Sequence, residues 1–200
     1  MGITPIYSIP FADPTDLVRD WPALSEDVAE AVEAAVAGVP VLAGIGSNVV
    51  QTVKTDVFTT SSTTYETITG LTATITPSSA SSKILVMTDI NFGVSSDYAA
   101  MRLRRDSTDV YLGNAEGSRE ISFVSAYRGN TSVGSYFYSN QRWPGIFLDS
   151  PETTSSLTYS IVCRRVLGSG VVYVNRNALD GNDSSNGRVA SSLTVIEVAA

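Results

Sequence analysis

At 200 residues with a net charge of -7, no histidine and one cysteine, the chain has the length of one ordinary domain plus an appendage. The missing histidine removes the usual base near neutral pH, and with it Ser-His-Asp, Cys-His and histidine-based metal arrangements. The lone Cys163 excludes an intrachain disulfide framework and a multi-cysteine zinc site.

The acidity is concentrated at the front. Residues 1–40 hold seven acids against Arg19, and the remainder holds thirteen acids against twelve bases, with Arg102, Arg104 and Arg105 its densest basic run. Such a body offers no basic stripe to nucleic acid. The opening MGITPIYSIPFADPTD has neither a basic n-region nor an unbroken apolar h-region, and no run of about 18 apolar residues follows. The sequence therefore predicts synthesis in a cytoplasm and no membrane insertion.

In chain order, Pro5, Pro10 and Pro14 remove backbone donors and predict an extended arm that lies on another surface. Pro22 suits a first helical turn, Ser25, Glu26 and Asp27 favour its positive end, and VAEAVEAAVAG runs to a stop at Gly38 and Pro40. A helix over roughly residues 22–37 follows. Leu24, Val28, Ala31, Val32, Ala35 and Val36 share one stripe, with Glu26, Glu30 and Glu33 opposite. At about four turns the helix is marginal alone, and its small side chains allow several copies to approach around an axis. The stripe reads as an oligomer interface in a short trimeric bundle; the competing reading packs it on the chain's own β domain. VPVLAGIGSN, with Gly44 and Gly46, is a connector, giving an attachment arm and helix over 1–46 and a β domain over 47–200.

Beyond it the period changes from 3.6 to 2. Leu71, Ala73 and Ile75 alternate with threonines, and Ile84, Val86, Ile90 and Phe92 share one face. Further strands are expected at AAMRLRR, DVYLG, EISFVSAY, SVGSYFY, SLTYSIVCRR, GVVYVNR and SLTVIEV, with a hairpin turn at RRDSTD. About ten short strands without intervening helices predict a mainly β, antiparallel, jelly-roll-like sandwich. Cys163, in phase with Leu157, Tyr159 and Ile161, is expected to face the core.

The leader YSIPFADPTDLVRDWPALSEDVAEAVEAAV resembles the N-terminal segment of minor tail and fibre proteins of tailed bacteriophages. The stretch VVQTVKTDVFTTSSTTYETITGLTATITPSSASSKILVMTDINFG, then LRRDSTDVYLG and the terminal SSLTVIEVAA, resemble a β domain recurring in phage structural proteins. The resemblance implies a virion protein, homotrimeric, attached to tail, neck or capsid proteins through residues 1–46, with an outward β domain contacting a host-surface glycan or protein. The alternative is a capsid decoration, head fibre, or neck or baseplate adaptor with a purely structural role.

Candidate sites are few. SYFYSNQRWPG gathers Tyr136, Tyr138, Arg142 and Trp143, flat faces and a donor fork of the kind that holds sugars, although the same aromatics suit a core or subunit interface. Tyr127 and Arg128 belong to the same group. The acid pairs Asp106 with Asp109 and Asp180 with Asp183 lie in turn-like sequence, where solvated turn residues are the simpler reading than a glycosidase pair. DGNDSSNG partly matches a calcium loop but lacks the downstream Glu. The expectation is a protein that binds and assembles, with no enzymatic activity, cofactor or metal.

Overall fold

The computed structural model describes residues 2–3, 10–11, 26–33, 48–95, 97–128 and 140–199. By contacts the chain divides into two units, Met1–Gly44 and Ile45–Ala200. In the first, β1 (Gly2–Ile3) pairs antiparallel with β2 (Pro10–Phe11), so part of the predicted arm forms a two-residue ladder. A helix occupies 26–33, inside the longer span predicted, where Val28 and Ala31 are half-buried and Val32 is exposed. Leu24, Ala35 and Val36 of the predicted stripe lie outside the described residues.

The second unit is a rolled antiparallel ribbon. Its strands are β3 (Val49–Lys54), β4 (Phe58–Thr60), β5 (Glu66–Ile75), β6 (Lys83–Val94), β7 (Asp97–Arg105), β8 (Thr108–Val110), β9 (Val124–Arg128), β10 (Gln141–Asp149), β11 (Leu157–Arg165), β12 (Val172–Val174) and β13 (Ser191–Val198). The pairings nest: β3 with β13, β5 with β11, β6 with β10 and β7 with β9. One sheet therefore reads β3-β13-β6-β10 and the other β5-β11-β7-β9, with the short β4, β8 and β12 extending them. A ribbon folded back on itself in this order is a jelly roll, as the alternation predicts.

Each sheet turns its apolar phase inward. Ile84, Val86, Ile90 and Phe92 of β6 meet Ala99, Met101 and Leu103 of β7 and Leu157, Tyr159, Ile161 and Cys163 of β11 in one core. Cys163 is fully buried, as its phase predicts, and burial pushes its thiol up to about 12. In β5 the inward phase slips from Ile68 to Leu71 across a bulge, which Gly70 makes possible at φ 83. The RRDSTD turn forms as expected: Arg105 pairs with Thr108, and Asp106 takes φ 51.

Two features were not legible in advance. Strand β10, absent from the strands expected above, contains Pro144 and Gly145; among the described residues it pairs only with β6, and such an edge tolerates proline. Gly145 faces inward, where an added Cβ would stand 2.6 Å from Thr88 Oγ1 and 3.6 Å from the Phe123 ring. The other is a seal along β6. Its Lys83–Asp89 half pairs with β13 and its Phe92–Val94 half with β12, on the same edge. Asn175, fully buried at φ 66, closes the junction between them. Its N–H donates to Asn91 O (2.8 Å), its Nδ2 donates to Lys54 O (2.8 Å) and Asp56 O (2.9 Å), and its Oδ1 accepts from Ser191 Oγ at 2.6 Å. Asn175→Ala removes three side-chain hydrogen bonds, two of them buried, and puts in a left-handed conformation a residue that tolerates it less well than asparagine, so urea melts should show a loss of about 3 kcal/mol.

At the end of β13, Glu197 is buried and accepts from Ser78 N (2.7 Å), Ser78 Oγ (2.6 Å) and Asn48 Nδ2 (3.2 Å). Burial pushes this carboxyl up, but the Ser78 and Asn48 donors outweigh it and hold the group at about 2. A folded value below the unfolded one means the stabilisation is fully present above about pH 4.5 and is lost as pH falls toward 2. Melting midpoints measured from pH 6 down to pH 2 should fall, and Glu197→Gln should lower the midpoint at pH 6 while flattening that decline.

Candidate functional site

The alternation of β10 separates the residues grouped by sequence. Arg142 stands on the outer face, its Nε and Nη2 donating to the two carboxylate oxygens of Asp89 on β6 at 2.7 and 2.6 Å. Trp143 turns inward and stacks on Phe92, centroids 6.3 Å apart, packed against the core. The two side chains thus lie on opposite faces of one strand. Tyr136 and Tyr138 lie outside the described residues, as do the side chains of Tyr127 and Arg128.

The acid pairs are also accounted for. Asp106 Oδ1 accepts from Thr158 N at 2.9 Å, while Asp109 sits between Arg102 Nη1 and Arg104 Nε, both at 2.8 Å. Burial raises the Asp109 carboxyl, but the Arg104 and Arg102 donors bring it below its usual range. Asp180 pairs with Arg176 and Arg188, and Asp183 accepts from Ser185 and Asn186 within its own loop. Among the described residues no three His, Cys, Asp or Glu side chains gather as metal ligands. No helix among them is long and apolar enough to cross a membrane.

Three clusters escaped the sequence reading. Between the sheets, Asp149 of β10 accepts from Tyr159 Oη (2.7 Å) and Arg105 Nη1 (2.6 Å), and desolvation plus that carboxylate push the Tyr159 phenol well up. On the outer face of the second sheet, Glu120 accepts from Tyr65, Arg164 and Arg102, and both guanidinium groups lie over the Tyr65 ring, at 4.2 Å for Arg102 and 5.1 Å for Arg164. Desolvation, followed by the Glu120 hydrogen bond, raises the Tyr65 phenol to about 12. Beside it a cleft of about 540 Å³ is lined by Tyr98, Ser118, Arg119, Glu120, Val166 and Leu167. None of these pairings has a sequence signature, because each joins residues 10 to 99 positions apart.

The third cluster is the outer face of the first sheet. Register places Val49, Ile196, Leu85 and Leu148 in one row, Gln51, Thr194, Met87 and Ile146 in the next, and Val53, Ser192, Asp89 and Pro144 in a third. Ile146 is 64% exposed, Val53 54%, Val49 49% and Leu148 47%. A depression of about 280 Å³ lies on this face among Gln51, Met87, Asp89, Arg142, Ile146 and Thr194.

No family model matches the chain, and no curated protein does. Among solved structures, a chain from the structure of infectious bursal disease virus Gx strain is similar at 18% identity and a TM-score of 0.35, covering 78% of this chain and 38% of that chain. The chain therefore spans well under half of that neighbour, and at this TM-score the likeness carries no argument.

The placement of Trp143 makes a prediction about the predicted ligand residues. Trp143→Ala opens a cavity under β10 and should cost about 3 kcal/mol in a denaturant melt, whereas Arg142→Ala should leave the midpoint unchanged.

Proposed function

We propose that this chain is a non-enzymatic structural subunit of a phage particle, a homotrimeric tail fibre or spike protein attached through residues 1–46, whose β domain contacts the host surface. It is made in the bacterial cytoplasm and works in the virion. The resemblance of leader and body to phage tail and fibre proteins supports the particle assignment. The observation that carries the non-enzymatic half is how the fold uses its acids. Asp109, Glu120, Asp149 and Glu197 are drawn from water and each is held by arginine, tyrosine, serine or asparagine donors that tie strands together. A carboxylate doing chemistry on a sugar needs an open face toward the ligand; these four face their own fold.

Binding at a fibre tip tolerates weak single sites, because copies tethered on one particle engage a surface together. Trimer formation is the step to test. Light scattering on the full-length chain should give three times the 21.2 kDa chain mass, and labelled trimer should bind intact bacterial cells in a host panel. Monomer at all concentrations overturns the trimer; a trimer that ignores every cell overturns host contact and leaves the decoration or adaptor role.

A further inference from the structure

The two outer faces of the sandwich are built differently. On the second sheet, β5 presents Thr67, Thr69, Thr72 and Thr74 to solvent, and β7 and β11 present Arg102, Arg104 and Arg164, all engaged with Asp109 or Glu120. That face is largely polar and its three guanidinium groups are ion-paired, with Tyr98 and Leu167 exposed beside it at the cleft. The first sheet instead presents Val49, Leu85, Met87, Ile146, Leu148 and Ile196 as contiguous rows across four strands, where an isolated sandwich ordinarily alternates to polar residues.

We infer that this outer face of β3-β13-β6-β10 is where copies of the chain meet. The inference rests on the homo-oligomeric reading above and names its contact surface. Charge favours a second copy as the occupant. The whole chain carries -7, so copies repel one another. Across these rows the acid Asp89 is cancelled by the bidentate Arg142, leaving a neutral apolar field on which like chains meet without that repulsion. The polar groups beside it are likewise satisfied within the face: Gln51 Nε2 donates to Thr194 Oγ1 at 2.8 Å. A nucleic acid or an acidic surface finds no cationic surplus here.

Four strands about 4.8 Å apart and three rows about 6.8 Å apart, widened by a side-chain radius, span roughly 400 Å² in all, with Val49, Val53, Leu85, Met87, Pro144, Ile146, Leu148 and Ile196 as its apolar members. That is about half of the roughly 800 Å² per partner in a standard interface, so these rows form the centre of such a contact, with the rest of its area lying outside them.

The test uses the full-length chain, with mass measured by light scattering across a concentration series and folding checked by circular dichroism. Ile146→Glu with Leu148→Glu should give a folded monomer, while Thr74→Glu, on the other sheet's outer face, and Val28→Glu, on the helix, should keep the wild-type mass. A milder pair, Ile146→Thr with Leu148→Thr, retains strand propensity and should raise the concentration at which the oligomer dissociates at least about tenfold, even if the glutamates unfold the chain. A folded glutamate pair or the threonine pair that keeps wild-type assembly overturns this face and leaves the oligomer standing. Loss of the oligomer in Val28→Glu alone reassigns assembly to the helix. A wild-type chain that is monomeric throughout overturns both the face and the oligomer.

Discussion

The jelly roll depends on one strand having two neighbours on one edge. Strand β6 is long enough to pair with β13 along its first half and β12 along its second, and a ladder interrupted in this way leaves backbone groups that water cannot reach. Asn175 meets that need with a single side chain. Its amide reaches the carbonyls of Lys54 and Asp56 while its oxygen accepts from Ser191, so the chain leaving β3, the chain entering β13 and the middle of β6 are tied at one point. The left-handed backbone at Asn175 is what aims the amide there, and asparagine tolerates that conformation better than most residues. Gly93 on β6 complements it: a Cβ there would stand 2.9 Å from Arg176 O.

The second constraint acts between the sheets. Asp149, Tyr159 and Arg105 place a charged, hydrogen-bonded link between the two sheets. An ion pair drawn from water stabilises little by itself, but one partner without the other is costly, so the three groups specify which strand end lies over which. At the same side, Tyr111 stacks on Phe147 at 5.1 Å and on Phe123 at 6.0 Å, closing the gap between β8 and β10.

The difference between the two outer faces connects fold to function. A single chain gains nothing from apolar rows in water, since each exposed methylene forgoes about 0.8 kcal/mol of burial. The rows bring together β3, β13, β6 and β10, strands from both ends and the middle of the β unit, so they are a property of the sheet rather than of any segment. On the opposite face the threonines of β5 and the ion-paired Arg102, Arg104 and Arg164 are suited to remaining solvated.

Alternation along single strands was enough to determine the fold class, most strand positions, the RRDSTD turn and the inward phase of Cys163, because side-chain direction in a strand repeats every two residues whatever the strand pairs with. Composition likewise leaves these 200 residues without a histidine base and without the second cysteine an intrachain disulfide needs. Tertiary structure alone decided the rest. Residues 141–149, interrupted by Pro144 and Gly145, show no strand signal until β6 lies beside them. Arg142 and Trp143 look like one recognition cluster until the pleat sends them to opposite faces. Asp149 and Glu197 look like ordinary surface acids until strands distant in sequence bring them their donors. Pairing register is a long-range quantity, and everything that depends on which strand neighbours which is invisible to a reading that moves along one chain.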